Sequence, residues 1–273
     1  MIKRKIPSSG ELLPVIGIGT WAQFDVGSSE AERQPLTEVL KVMTEKGATL
    51  IDSSPMYGMA EAVVGDLTQK LNPIDYFYAT KVWTKGEQEG IAQMQSSFQK
   101  MKCTKMDLMQ VHNLVDYKIH LKTLRKWKEE GKVRYIGITH YTVGSHEELE
   151  SIIKKEKLDF VQFNYSMRIR NAEKSLLNAA ANKGVAVIIN EPLEKGYLFN
   201  LVKGKSLPEW ASEYDIHSWA QFFLKYIVSH PAVTCVIPGT SDTKHMLDIL
   251  GAGYGVIPDE AVRKRMVQYI ESL

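Results

Sequence analysis

The chain has 273 residues, enough for one large domain or two modest ones, and 34 Lys+Arg against 32 Asp+Glu leave a net charge of +2. That balance excludes a dedicated nucleic-acid or membrane-surface protein, whose binding would rest on clustered positive charge. Cys103 and Cys235 are too few for a disulfide scaffold, and no secretory leader or apolar run of about 18 residues is present, so a soluble cytoplasmic chain is expected.

In chain order, Ile2–Ile6 and Glu11–Leu13 flank Pro7-Ser-Ser-Gly10 and predict a β-hairpin. A rhythm of short β-branched runs and longer amphipathic stretches follows. Val15–Gly19 predicts a strand, Pro35–Lys46 a helix, and Thr49–Asp52 and Tyr76–Lys81 two more strands. Gln88–Met101 reads as a helix, Met106–Val111 as a strand, Ile119–Glu130 as a helix and Val133–Ile138 as a strand. Glu147–Lys155 is a helix with Ser145-His-Glu-Glu148 as its capping box, and Phe160–Phe163 is the next strand. Helix Glu173–Asn182, strand Val185–Ile189, helix Ser218–Ser229, strand Thr234–Ile237 and helix Thr243–Gly251 complete the series. Gly131 and Gly184 stand between helix and strand, where a left-handed C-cap suits glycine. Pro258–Leu273 predicts one further helix, with Pro258 at its start and Asp259 and Glu260 in its first turn.

Eight strands alternating with helices predict an α/β fold: a (β/α)8 TIM barrel in a single domain over 1–273. The hairpin would plug the barrel bottom, and the C-terminal helix is an addition to the barrel. In such barrels the chemistry sits at the C-terminal ends of the strands. There Asp52, Lys81 and His112 each close an apolar run from a different strand, beside Tyr57. A phenol of pKa about 10 is a poor proton donor at neutral pH unless a neighbour lowers it. A lysine beside it would stabilise the phenolate, and an aspartate would hold that lysine charged. A histidine can orient a carbonyl oxygen or pass a proton. The set points to carbonyl reduction with hydride from a cofactor.

Taken singly, Asp52 could cap a loop, Tyr57 could be a core phenol and His112 a satisfied core histidine. Lys81, closing Tyr76-Phe-Tyr-Ala-Thr80, must be paired or functional. Trp21 and Trp83 are either rim aromatics or the walls of an apolar substrate pocket. His140, His217 and His245 have no spacing of a metal site, so no metal is expected. Gly17-x-Gly19-x-x-Ala22 matches a dinucleotide fingerprint, yet Thr20–Ser29 does not read as a helix, and Asp52 lies 33 residues beyond Gly19 instead of about 20. A Rossmann oxidoreductase is therefore a poor second reading.

The motifs resemble those of the aldo/keto reductases. They are Gly17-Ile-Gly-Thr-Trp21, Ile51-Asp-Ser-Ser-Pro-Met-Tyr-Gly58, Thr80-Lys81, Val111-His-Asn113 and Glu129-Glu-Gly-Lys-Val-Arg-Tyr-Ile-Gly137. Gln162-Phe-Asn-Tyr165, Pro192-Leu-Glu-Lys-Gly196 and Val236-Ile-Pro-Gly-Thr-Ser241 continue the series over nearly the whole chain. The resemblance implies that Asp52, Tyr57, Lys81 and His112 are the catalytic residues, with Tyr57 as general acid. It implies NADPH as cofactor, with NADH as the second candidate, bound across the barrel mouth. The cofactor contacts it implies are Gly19, Thr20, Trp21, Asp52, Thr139, His140, Gln162, Asn190, Pro192, Leu193, Lys195, Gly239, Thr240, Ser241, Lys244 and His245. A small carbonyl substrate would meet Trp21, Tyr57, Trp83, His112 and Asn113. The chain is expected to be a monomer or weak oligomer.

Several positions depart from the family pattern. Asn190, followed by Glu191, stands where an aromatic stacks on the nicotinamide, and Asp242 adds a negative charge where a base meets the 2′-phosphate. Ile249 replaces an asparagine on the adenine side. The fifth-strand Ser-Asn pair becomes Thr139-His140, whose hydroxyl can still bond. The short loop Asn113–Lys118 points to an open pocket for small aldehydes. A cofactor-binding accessory or sensor subunit that reduces nothing is the alternative from another class, disfavoured by an intact catalytic set.

Overall fold

The computed structural model describes residues 1–71 and 75–273. β1 (Lys3–Lys5) and β2 (Leu12–Pro14) pair antiparallel as the expected hairpin. Eight parallel strands follow, each paired with the next: β3 (Ile18–Gly19), β4 (Leu50–Asp52), β5 (Phe77–Val82) and β6 (Met106–His112), then β7 (Val133–His140), β8 (Phe160–Asn164), β9 (Ala186–Asn190) and β10 (Cys235–Val236). The ring closes where Ile16 bridges Val236, with the Val236 N–H on the Val15 carbonyl at 2.9 Å. Around it run α1 (Glu30–Glu45), α2 (Ala60–Lys70), α3 (Glu87–Lys100), α4 (Tyr117–Glu129) and α5 (His146–Lys155). α6 (Leu176–Asn182), α7 (Tyr197–Leu201), α8 (Trp219–Val228) and α9 (Thr243–Gly251) follow, and α10 (Glu260–Glu271) is the additional C-terminal helix. This is the (β/α)8 barrel that the alternation predicts.

A period of two decides what enters the barrel. Leu50, Phe77, Ala79, Leu108, Tyr135, Phe160, Ala186, Ile188 and Cys235 form one buried cluster inside it. Ile6 and Leu13 of the hairpin belong to that cluster, so the hairpin does plug the bottom. Above it the rings of Phe77, Tyr135 and Phe160 lie 5.5 to 6.1 Å apart between centres. The alternate residues, such as Val82, Met109, Val111, Ile138, Val161 and Ile189, pack outward in the larger cluster between strands and helices. Among the described residues no helix is long and apolar enough to cross a membrane.

Several local expectations are corrected. α1 begins five residues before Pro35, because Ser29 and Glu32 build a capping box there, with the Ser29 N–H on Glu32 Oε2 at 3.3 Å. The box expected at Ser145 does not form. A short 3-10 turn, Val143–Ser145, leads into α5, and Ser145 Oγ meets Thr142 Oγ1 at 3.1 Å instead. The helix expected over Glu173–Asn182 splits into a 3-10 turn at Asn171–Glu173 and α6. Tertiary contacts win there: Glu173 accepts from the Tyr165 and Tyr226 hydroxyls and from Arg263 of α10.

α2 was not among the stretches expected to be helical, yet it fixes the loop that carries Tyr57. Its Glu61 accepts from the outward-facing Thr80 hydroxyl at 2.6 Å. Its Gly65 lies against the end of α3, where an added Cβ would collide with the Lys100 carbonyl oxygen and stand 2.8 Å from the Met101 carbonyl carbon. Neither obstacle is a flexible side chain. Gly65→Ala should therefore destabilise the fold by about 1–3 kcal/mol in urea unfolding, although alanine is the better helix former.

Candidate active site

The inward series of the strands changes character toward their C-terminal ends. Above the apolar layer come Asp52 of β4, Lys81 of β5, Gln110 and His112 of β6, Thr139 of β7 and Gln162 of β8, all buried. The register sets Lys81 level with Gln110, His112 with Thr139, and Thr139 with Gln162. Lys81 Nζ donates to Asp52 Oδ2 and to the Ser53 carbonyl, each at 2.6 Å. Gln110 and Gln162 both reach the Asp52 carboxylate at 3.4 Å, and Gln110 donates to Gln162 Oε1 at 2.7 Å. The pair is only 1% and 2% exposed. Burial works against the Lys81 ammonium, but Asp52 and the Tyr57 phenol more than offset it and hold its pKa up.

Tyr57 lies on the turn after β4, where its N–H bonds the Ser54 carbonyl at 3.0 Å. Lys81 Nζ stands 5.0 Å from the centre of its ring. From the sequence, this lysine is expected to lower the phenol. Burial instead pushes the phenol up, helped by the charges of Asp52 and Glu191, and Lys81 only moderates the rise. At neutral pH Tyr57 therefore carries its proton. His112 meets the Tyr57 ring edge-on at 5.9 Å and the Trp83 ring at 6.5 Å between centres. Its Nδ1 is 3.0 Å from Ser54 Oγ. Burial, with Lys81 and His140 nearby, lowers the imidazole to about 2, so it is neutral. Gln110, Ser53 and Ser54 are participants that sequence reasoning missed. Gln110 could have been found, because it shares inward parity with His112, two residues on.

The rim is assembled from the loops. Trp21 and Trp83 are 53% and 42% exposed and flank the mouth as rim aromatics. Asn113 follows His112 in a left-handed conformation, at φ +52, and its Oδ1 is buried without a partner among the described residues. Asn190 closes β9 level with Asn164, and its Oδ1 is likewise unpartnered. Beyond it Pro192 is buried, Leu193 is partly buried, and Lys195 is exposed with Nζ 4.9 Å from the Trp21 ring centre.

Other expected contacts are less open. Thr20 is buried, its hydroxyl turned to the Asp52 carbonyl at 3.1 Å and to Ser53 Oγ at 3.0 Å. His140 ends β7 half-buried, stacked on Tyr141 at 5.5 Å, with Nδ1 accepting from the Thr142 N–H at 3.2 Å. Gly19 and Gly239 touch backbone to backbone, because a Cβ on Gly239 would stand 2.9 Å from the Gly19 carbonyl oxygen. Thr240 Oγ1 accepts from the Asp242 N–H at 3.1 Å, whereas Ser241, Lys244 and His245 are exposed. Asp242 is not a stray charge. It is the N-cap of α9, accepting from the Lys244 and His245 amides at 2.7 and 3.1 Å. As the sequence predicts, no helix opens directly after Gly19, and Ala22 there is left-handed at φ +59.

A (β/α)8 barrel with a buried ammonium, a protonated phenol and a neutral imidazole at its C-terminal face is the frame of a barrel enzyme that handles a polarised oxygen. The family model of the aldo/keto reductase family matches residues 15–266, and the chain belongs to that family. Methylglyoxal reductase YeaE of Escherichia coli (strain K12) is 29% identical over 255 residues, covering 90% of this chain and 88% of that protein. The NADH-specific methylglyoxal reductase of the same organism is 24% identical over 259 residues, covering 82% and 78%. Among solved structures, an aldo-keto reductase from Klebsiella pneumoniae in complex with NADPH superposes with a TM-score of 0.81 at 21% identity, covering 99% of this chain and 96% of that one. That likeness shows the fold.

The neutral His112 gives a direct test. An unfolded histidine titrates near 6.5 and this one near 2, so the stability gained by keeping it neutral is complete above about pH 6.5 and is lost as pH falls. In an NMR titration between pH 5 and 8, where a free imidazole would change charge, the ring resonances of His112 should not move.

Proposed function

We propose that the protein reduces small aldehydes or ketones to alcohols, with Tyr57 as the proton donor and NADPH as the preferred cofactor. The observation that carries the reading is the buried Lys81 ammonium, tied to Asp52 and 5.0 Å from the Tyr57 ring. Membership of the aldo/keto reductase family and similarity to proteins named methylglyoxal reductases support a small, reactive carbonyl as substrate.

The unpartnered oxygens of Asn113 and Asn190 fit a ligand that brings N–H donors to the mouth, as a carboxamide would. Thr139, Gln162 and Asn190 would hold a nicotinamide, and Lys195, Lys244 and His245 would face its phosphates. When bound, that cofactor supplies the hydride. Gly19, Thr20, Trp21, His140, Pro192, Leu193, Gly239, Thr240 and Ser241 would frame it.

The chain's own groups manage the proton and the charge. As negative charge develops on the carbonyl oxygen, the Tyr57 hydroxyl gives it a proton. The phenolate left behind is stabilised by the Lys81 ammonium, which Asp52 keeps charged and Ser53 helps aim. His112 is neutral and so does not compete as an acid. With the Ser54 hydroxyl donating to Nδ1, 3.0 Å away, the Nε2–H would donate to the same oxygen and polarise it. Trp21 and Trp83 exclude water beside the reacting atoms.

Two measurements test this reading. Tyr57→Phe should lower kcat for 4-nitrobenzaldehyde by about 100-fold or more while cofactor affinity stays within a few-fold. Retained activity would sink the assignment, and cofactor binding without turnover by the parent would mark an accessory subunit. Fluorescence titration should find micromolar NADPH binding with only a moderate preference over NADH. Asn190 offers no aromatic stack, a contact that elsewhere contributes about 0.5–1.5 kcal/mol.

A further inference from the structure

The loop after β9 carries a second carboxylate at the mouth. Glu191 follows Asn190 and holds its backbone at φ +48, in the left-handed region where glycine or asparagine sits with least strain. Glu194 and Lys195 of the same loop are also left-handed, at φ +49 and +55. Glu191 Oε1 lies 3.2 Å from Lys195 Nζ, and that ammonium stands 4.9 Å from the centre of the Trp21 ring. The three side chains thus run from the β9 loop to the β3 loop across the rim. Burial is the main force holding the Tyr57 phenol up, and the Glu191 charge adds to it through space.

The cations on this side have little left to offer a substrate carboxylate. Lys81 is bound to Asp52. Arg168, after β8, is bound to Glu194 at 2.7 Å and lies 4.4 Å from the Tyr197 ring centre. Lys195 is divided between Glu191 and Trp21 and is 56% exposed, so solvent screens it more than Glu191, which is 30% exposed.

We propose that Glu191 is a specificity-determining residue, whose charge at the mouth makes the site favour neutral or cationic carbonyl compounds over those bearing a carboxylate near the carbonyl. This rests on the reading of Tyr57 as the group that meets the carbonyl. Two charges separated by several ångströms at a partly wet rim interact by enough to change a rate constant about three- to tenfold.

The test compares kcat/KM for three para-substituted benzaldehydes, bearing a carboxylate, a nitro group or a trimethylammonium group, in the parent, Glu191→Gln and Glu191→Asp. Intrinsic reactivity cancels when each charged aldehyde is referred to the nitro compound and then to the parent. In Glu191→Gln the anionic ratio should rise about three- to tenfold and the cationic ratio should fall by a similar factor. Both changes should shrink at high salt, and Glu191→Asp should keep the parental order. A loosened loop would move both ratios the same way, so opposite movement isolates the charge. If the nitro compound is reduced and the two ratios stay put or move together, Glu191 does not set specificity. If the parent reduces none of the three, carbonyl reduction itself fails, and this inference with it.

Discussion

The ion pair between Asp52 and Lys81 is the constraint around which the barrel mouth is organised. Two charges with almost no exposure are costly to desolvate, and removing one partner from such a pair costs about 3–5 kcal/mol. The neighbours are therefore those that keep both charges satisfied. Ser53 gives Lys81 a carbonyl, and the amides of Gln110 and Gln162 reach the other side of the carboxylate. Four strands, β4, β5, β6 and β8, are tied at one level by this network. The reactive geometry is thus inherited from a structural necessity, because the same ammonium that neutralises Asp52 stands beside the Tyr57 ring.

The barrel interior divides into two media. Below, the hairpin residues Ile6 and Leu13 and the rings of Phe77, Tyr135 and Phe160 fill the barrel and exclude water. Above, amides, charges and an imidazole line it. The dry floor matters for the polar layer, since low polarity strengthens every interaction just above it. It also explains the neutral His112, whose proton would be desolvated on one side and repelled by Lys81 on the other.

Backbone strain concentrates where the mouth is built. Ala22 after β3, Asn113, Leu114 and Asp116 after β6, and Glu191, Glu194 and Lys195 after β9 are all left-handed. Such residues persist only where surrounding contacts over-determine them. Here those contacts are visible: Asp116 accepts from the Gly86 N–H at 2.9 Å, and Glu194 accepts from Ser166 at 2.5 Å and from Arg168. The loops differ in origin but are held as one rim.

The amino-acid sequence by itself determines the barrel. Eight apolar runs alternating with amphipathic stretches allow few other folds, and the polar residue closing each run marks the mouth. Asp52, Lys81 and His112 were legible for that reason, being polar groups at the ends of otherwise buried strands. Tertiary structure alone decided the rest. The split of the Glu173–Asn182 stretch depends on Tyr226 and Arg263, which are far away in sequence. Asp242 reads as an unwelcome charge until the amides of α9 converge on it. The upward shift of the Tyr57 phenol has the same origin. Neighbouring residue types predict the pull of Lys81, but the balance is set first by desolvation, with the charges of Asp52 and then Glu191 adding to it, and burial exists only once the barrel is closed.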